Sequence, residues 1–354
     1  MFRRQLILFA LLTACVCSSA FGQASLPKVP DLEGLLAKPF GTRNLGMGWG
    51  GVADGTVAAT IYYNPANMLA LGGFEFSAET QNWFDELDFF NAGGASRFRF
   101  AVGQSTDMYI STGLWYADQV DTHQDSSKPP PDNNVETSDR YLNLALALGL
   151  GTKRFDFGIG GAVKPVWLKF GSFDQKTTVV AYDVGAYIGG TFDIGYSSLT
   201  TSVGASILNA GNDAKADSVT SELPTEARVG VSLVFRTEKT FTRGQSGISM
   251  LEVYLNAEIV GRAMQRETNL GSGPENPPLG SSIGIEARLI NTFNFRMGWL
   301  DDGVGGKVRS ETWGIGIQFG SPKFRLAADL GHIPEINQGG PSVTATALTI
   351  AWYF

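Results

Sequence analysis

Two histidines and two cysteines are the only imidazoles and thiols in this chain. Asp118, Asp121, His123 and Asp125 lie close together, and residues of these types can hold calcium or zinc. They lack the spacing and turn glycine of a calcium loop, and zinc needs three or four convergent ligands. A solvated acidic loop is the better reading. His332 falls in a second connection far along the chain. Carboxylate pairs such as Asp301-Asp302 sit in turns, where acids are common. The run Gly46-x-Gly48-x-Gly50-Gly51 has the wrong spacing for a phosphate cradle, and no Lys-Ser/Thr follows it. The residues therefore point away from catalysis, with no metal and no cofactor expected.

Both thiols belong to the N-terminus. Arg3 and Arg4 precede an apolar stretch from Leu6 to Ala14, far short of the ~20 residues a spanning helix needs. Small residues and a plausible cleavage site at Ala20-Phe21-Gly22 follow, so residues 1–22 read as a secretory signal peptide. Leu12-Thr13-Ala14-Cys15 also fits a lipoprotein processing box, an alternative that stays open. Loss of the signal removes two arginines and no acid, taking the formal charge from −7 to −9. Such a chain is a poor partner for nucleic acid, because phosphate contacts need Lys and Arg.

No later apolar run reaches ~18 residues, so a chain that crosses a membrane must do so as a closed barrel. The composition agrees. Charged residues make up 17% and glycine 44 of 354 positions, against ~25% and ~7% in ordinary soluble domains. That much glycine opposes a helical bundle, and the low charge opposes disorder.

From residue 74 onward, segment after segment alternates with period two. Leu142, Leu144, Leu146 and Leu148 are interleaved with small or polar residues, as are Val229, Val231, Leu233 and Phe235. Phe293, Phe295, Met297 and Trp299 alternate with Asn294, Arg296 and Gly298. Each such strand has one apolar and one polar face. About 14 strands can be counted, with long polar connections on one rim and tight turns on the other, the pattern of an outer-membrane barrel. The stretch Thr237–Ile248 is too long for a tight turn in this scheme. The apolar faces would meet outer-membrane lipids. Arg97, Arg99, Asp183, Arg228, Glu252, Glu258, Glu286, Arg288, Arg296 and Asp329 would face the lumen, because Arg or Lys on the lipid face costs ~2–4 kcal/mol at the midplane. Glu286 and Arg296 fall on neighbouring strands, where they can pair. The last strand alternates Leu348, Ile350, Trp352 and Phe354 with smaller or more polar residues and stops at Phe354. A terminal aromatic on such a strand resembles the sorting signal read by the outer-membrane assembly machinery, with Ile350, Trp352 and Phe354 as its residues.

Residues 26–73 do not alternate. They run Gly41-Thr42-Arg43-Asn44-Leu45-Gly46-Met47-Gly48-Trp49-Gly50-Gly51, then Val52-Ala53-Asp54-Gly55, then Ile61-Tyr62-Tyr63-Asn64-Pro65-Ala66-Asn67. Further on come Ser206-Ile207-Leu208-Asn209-Ala210-Gly211 and Leu223-Pro224 before the strand opening at Arg228-Val229-Gly230. This order resembles the FadL-like superfamily of outer-membrane proteins, in particular its PorV/PorQ family. The family's usual Gly after Asn-Pro-Ala is Asn67 here, a residue that also tolerates the left-handed conformation. The resemblance implies an all-β transmembrane barrel of 14 antiparallel strands over residues 74–354. It also implies a hatch made from residues 23–73 inside the lumen, with Gly46, Gly48, Asn64 and Pro65 as hatch or gating candidates. Two roles follow from it: a shuttle or scaffold for protein secretion of the type IX kind, gripping secreted cargo proteins, or a FadL-like transporter of hydrophobic small molecules such as long-chain fatty acids. Either would place the protein in the bacterial outer membrane as a non-enzyme.

Overall fold

The computed structural model describes Leu36 and residues 40–83, 87–124, 134–170, 175–212, 214–216, 219–221, 223–239, 248–262, 279–301, 309–321, 323–334 and 342–353. The signal segment, the two cysteines and Phe354 lie outside them.

Fourteen antiparallel strands close into one barrel. They are β1 (Gly73–Trp83), β2 (Leu87–Ala101), β3 (Thr106–Gln124), β4 (Asn134–Thr152), β5 (Phe155–Phe170), β6 (Gln175–Ile194) and β7 (Ser197–Gly211), followed after a small hairpin by seven more. The hairpin pairs β8 (Ala214–Ala216) with β9 (Val219–Ser221) outside the wall sheet. The wall resumes with β10 (Glu226–Lys239), β11 (Ile248–Arg262), β12 (Leu279–Leu289), β13 (Phe293–Asp301), β14 (Arg309–Ser321), β15 (Phe324–Ile333) and β16 (Val343–Tyr353). Strand β16 pairs with β1, with Trp352 opposite Phe74 and Leu348 opposite Ala78, which closes the seam.

The alternation decides which way each side chain points. Leu144, Leu146 and Leu148 are about half exposed on the outer surface, while Ala145 and Ala147 between them are buried. Phe293, Phe295, Met297 and Trp299 stand outward with Asn294, Arg296 and Gly298 inward. An outward apolar band around a closed wall without free edges is what lipid requires of a β-protein. Trp352 stands at the edge of this band, its ring 5.2 Å from Phe324 and 6.3 Å from Phe74.

Three expectations change in detail, the first being that His123 and His332 lie within β3 and β15 rather than in connections. Strand β2 begins at Leu87 rather than near 95, because the small outward residues Ala92 and Gly94 blur its alternation. The long connection at 237–248 shortens to 240–247, since β10 runs on to Lys239 across a register shift at Thr237/Glu238.

Residues 40–72 occupy the lumen. After a helical turn at Thr42–Leu45, the chain passes through two 3-10 turns, Ala58–Tyr62 and Pro65–Ala70, before entering β1. Met47, Ile61, Tyr62, Tyr63, Asn64 and Ala66 are completely buried there.

Candidate functional site

The plug lies against the wall almost all the way round, and the wall has been cleared for it. A Cβ at Gly204 on β7 would overlap the carbonyl of Val52, one at Gly284 on β12 would overlap that of Met47, and one at Gly185 on β6 would overlap the Asn64 side chain. Glycine is the residue that lets two backbones come this close. On the plug side, Gly48 has φ +75°, and a Cβ there would sit 2.6 Å from the carbonyl oxygen of Trp299. Gly46 lies against the Gly314 backbone of β14. A valine at position 204 should therefore displace the plug, since overpacking commonly costs ~1–3 kcal/mol. Limited proteolysis of the folded barrel should cut the Gly204→Val variant within residues 40–72. The outward Ala205→Val control should resist like the parent.

The plug's polar groups are met by side chains from the wall. Glu79 on β1 accepts from the amides of Gly41 (3.1 Å) and Thr42 (2.5 Å), and also from Asn91 (3.2 Å). Glu75, four residues earlier on the same face, accepts from the Ala58 amide (2.6 Å) and pairs with Arg325. Glu258 on β11 accepts from the amides of Gly51 (2.7 Å) and Val52 (2.9 Å) while its other oxygen pairs with Arg228 (2.8 Å). The Gly48 amide donates to Thr312 Oγ1 (2.9 Å). Ser202, Ser206 and Ser111 donate to the carbonyls of Ala53, Tyr63 and Met68. Buried backbone groups left unpaired would each cost ~1–3 kcal/mol, so these contacts make the filled lumen tolerable.

At the centre is a charge lattice. Arg43 on the plug pairs with Asp54, also on the plug, and with Glu286 on β12 (3.0 Å). Glu286 is shared with Arg296 (2.5 Å), directly across the strand pair, and with Arg288 (3.2 Å). Arg296 reaches Asp329 on β15 (2.6 Å), and Arg288 reaches Glu252 (3.2 Å), which also holds Arg236 (2.7 Å). Asp54 further accepts from Asn256 on β11 (3.0 Å) and from the Thr56 amide and hydroxyl (3.0 and 2.6 Å). Burial alone would push the Asp54 carboxyl up. The Arg43 guanidinium and these donors outweigh that and hold it below the usual carboxylate range. A depressed carboxylate stabilises the fold above its unfolded pKa and loses that contribution as pH falls through the folded value. The Arg43–Asp54 contribution to the seal should therefore hold unchanged from pH 8 to pH 5 and be lost only below the ordinary Asp value of about 3.9. Vesicle leakage measured across that range would check it, and loosening near pH 6 would contradict it.

The outer half of the lumen differs. Phe40 stacks on Trp115 (5.1 Å, 12° between planes) and tilts against Tyr62 (4.7 Å) and Tyr141 (6.4 Å). Ala117, Val166, Leu168, Ile333 and Val343 join this cluster, all facing inward. Lys164 enters this cluster fully buried, paired with Asp183 (2.7 Å) and Asn209 (2.9 Å) and lying 5.4 Å from the Tyr62 ring centre, while Arg228 lies 5.8 Å from the same ring.

The residues singled out from the sequence thus fall in different places. Asn64 accepts from the Ala66 amide (3.0 Å) and donates to the carbonyls of Val52 and Ala186 (2.9 Å each), with Pro65 opening the turn it caps. Arg228, Glu252, Glu286 and Arg296 belong to the ion-pair network, and Asp183 belongs with Lys164. Arg97 donates to the Leu69 carbonyl (2.9 Å) and covers the Tyr109 ring. Arg99 stands apart at the rim, mostly exposed and paired with Asp107 (2.7 Å). Ile350 and Trp352 face outward on β16. The side chains of Asp121 and His123, and Asp125 entirely, lie outside the described residues; His332 bonds Thr344 Oγ1 (2.9 Å). Among the described residues no group of three acids, histidines or cysteines could hold a metal. Arg43, Glu75, Glu79 and Lys164 were not anticipated. For Glu75 and Glu79 a signal existed, two carboxylates alternating with Phe74, Phe76 and Ala78.

The class defined by wall and filling is a closed, fourteen-stranded membrane barrel with an internal plug. It is similar to the solved structure of the Ralstonia pickettii toluene transporter TbuX, at 15% identity over 89% of this chain and 98% of that one, with a TM-score of 0.46. It is also similar to the Pseudomonas putida toluene transporter TodX, at 12% identity, 89% and 98% coverage and a TM-score of 0.45. A Pseudomonas aeruginosa FadL homologue matches at 11% identity, 88% and 98% coverage and a TM-score of 0.45. No family model and no curated protein matches the chain.

Proposed function

We propose that the chain is a gated outer-membrane transporter of apolar small molecules, with residues 23–73 as its hatch. One observation carries this reading: the inward face of the outer half of the barrel holds an apolar, aromatic cluster around Trp115, Tyr141, Val166 and Ile333, set among polar groups such as Asn91 and Asn143. Barrel interiors are ordinarily polar, so an apolar stretch there suits cargo that leaves water readily. The lumen below it is closed by the plug, and passage requires Arg43 and its partners to give way. Gly46, Gly48, Asn64 and Pro65 act in this scheme as fixed points of the hatch rather than as ligands for cargo.

Mild-detergent purification of the tagged protein from its native membrane tests the reading, with mass spectrometry for bound small molecules and for proteins. A retained fatty acid or aromatic hydrocarbon without a stoichiometric protein partner is expected. Large stoichiometric partners with no apolar ligand would overturn it in favour of the secretion scaffold implied by the sequence resemblance. Recovery from the soluble periplasm would remove the barrel reading as well.

A further inference from the structure

A trough crosses the lipid-facing side of the wall from β13 to β2. Phe293 and Phe295 border one end and Phe90 the other, with Leu348 between them, and the floor is made by Ala78 and Ala328. The small residues lie in line because Ala78 and Ala328 are both register partners of Leu348, one on each neighbouring strand. The hollow has a volume of about 630 Å³. It shares Thr80, Phe90 and Thr346 with a second hollow of about 540 Å³, which adds Asn82, Asp88 and Asp118. This second hollow lies where β1 ends and β2 begins, on the rim opposite the Gly73 end of β1. The trough therefore runs from an apolar end near the turn before β13 to a polar end at the outer rim.

We propose that it is a fixed site for one acyl chain of an outer-leaflet membrane lipid. The chain would lie over Ala78 and Ala328, with a head group that donates hydrogen bonds among Thr80, Asp88 and Asp118. Three features favour this occupant. The trough is continuous with the apolar band that already faces lipid. Its polarity changes once along its length, as an amphiphile's does. A second barrel would present a convex wall, which bridges a narrow trough rather than filling it. The polar end already carries acceptors: Asp88 takes a bond from Asn82 (3.3 Å) and Asp118 one from Arg140 (3.2 Å). Filling apolar space contributes ~0.8 kcal/mol per methylene taken from water, but a chain already in the bilayer gains only the better fit, so the site should slow lipid exchange rather than create binding.

The test uses the full mature protein in phosphatidylethanolamine–phosphatidylglycerol vesicles, doped with phosphatidylethanolamine bearing a diazirine in its acyl chain. After irradiation, peptide mass spectrometry should find labels at Ala78, Ala328 and Leu348 at least fivefold above Val163 and Val184 on the opposite wall. Ala328→Phe should bring the trough labels down to the level of the opposite wall. Ala78→Leu serves in the same role if the first variant loses its heat-modifiable folded band. Even labelling around the barrel, labels indifferent to both variants, or cross-links joining two copies through this face would each overturn the proposal.

Discussion

Replacing Arg43 by methionine is expected to convert a sealed barrel into a conducting one. Among the described plug residues the guanidinium is the only cation in the charge lattice, and it holds one carboxylate from the plug and one from the wall. Glu286 would keep Arg288 and Arg296, but Asp54 would stay buried with only neutral donors. Removing one partner of a buried pair typically costs ~3–5 kcal/mol, because the remaining charge is left uncompensated. Since β1 to β16 are joined by their own ladders, that cost falls on the plug rather than on the wall. In planar bilayers the parent protein should be nearly silent, while Arg43→Met should open in steps and keep its folded band on unheated gels. Arg43→Lys, which restores charge but not the two-sided fork, should fall between them. Silence in a folded Arg43→Met protein would mean that the plug's remaining contacts to the wall, such as those to Glu79, Glu258 and Thr312, suffice to hold it.

Lys164→Met is expected to lower the thermal midpoint of the barrel, on the order of 10 °C at ~2–4 °C per kcal/mol. Lys164 and Asp183 are both fully enclosed, and Asn209 ties them to the plug by donating to the Leu36 carbonyl (3.3 Å). The single change strands the Asp183 carboxylate, whereas Lys164→Met with Asp183→Leu removes both charges. A buried pair replaced by apolar groups of similar size is often neutral in stability, so the double variant should recover most of the loss. The Asn209 amide, which donates to Asp183 (2.8 Å), would remain unpaired and keep the recovery incomplete. Heat-modified gel mobility against temperature reads all three proteins. A single variant as stable as the parent would show that the pair contributes nothing.

The wall could be read from the sequence because a barrel strand reports its two environments every second residue. Leu142–Leu148 and Phe293–Trp299 carry that signal without interruption, and strand number and orientation follow. The signal weakens where function or packing asks for small residues, as at Ala92 and Gly94, and there the start of β2 was misplaced. Lumen charges such as Glu286 and Arg296 were visible for the same reason, being charges on an alternating strand. Their partners were not. Arg43 and Asp54 sit in an aperiodic glycine-rich segment, where nothing local distinguishes a buried ion pair from two solvated charges. Lys164 stands between Ala162 and Leu168, where apolar residues occupy both faces, Val163 and Trp167 outward and Val166 and Leu168 inward, so alternation could not orient it.

Strand β1 carries Glu75 and Glu79, and it is also one side of the seam that β16 closes. The first strand thus bears two anchor points for the segment synthesised just before it. The glycine clearances on β6, β7 and β12 leave no slack through which a finished filling could be threaded. The N-terminal segment thus acts as a mandrel for the finished wall, which fits it without clearance and is closed over it by the β1–β16 ladder.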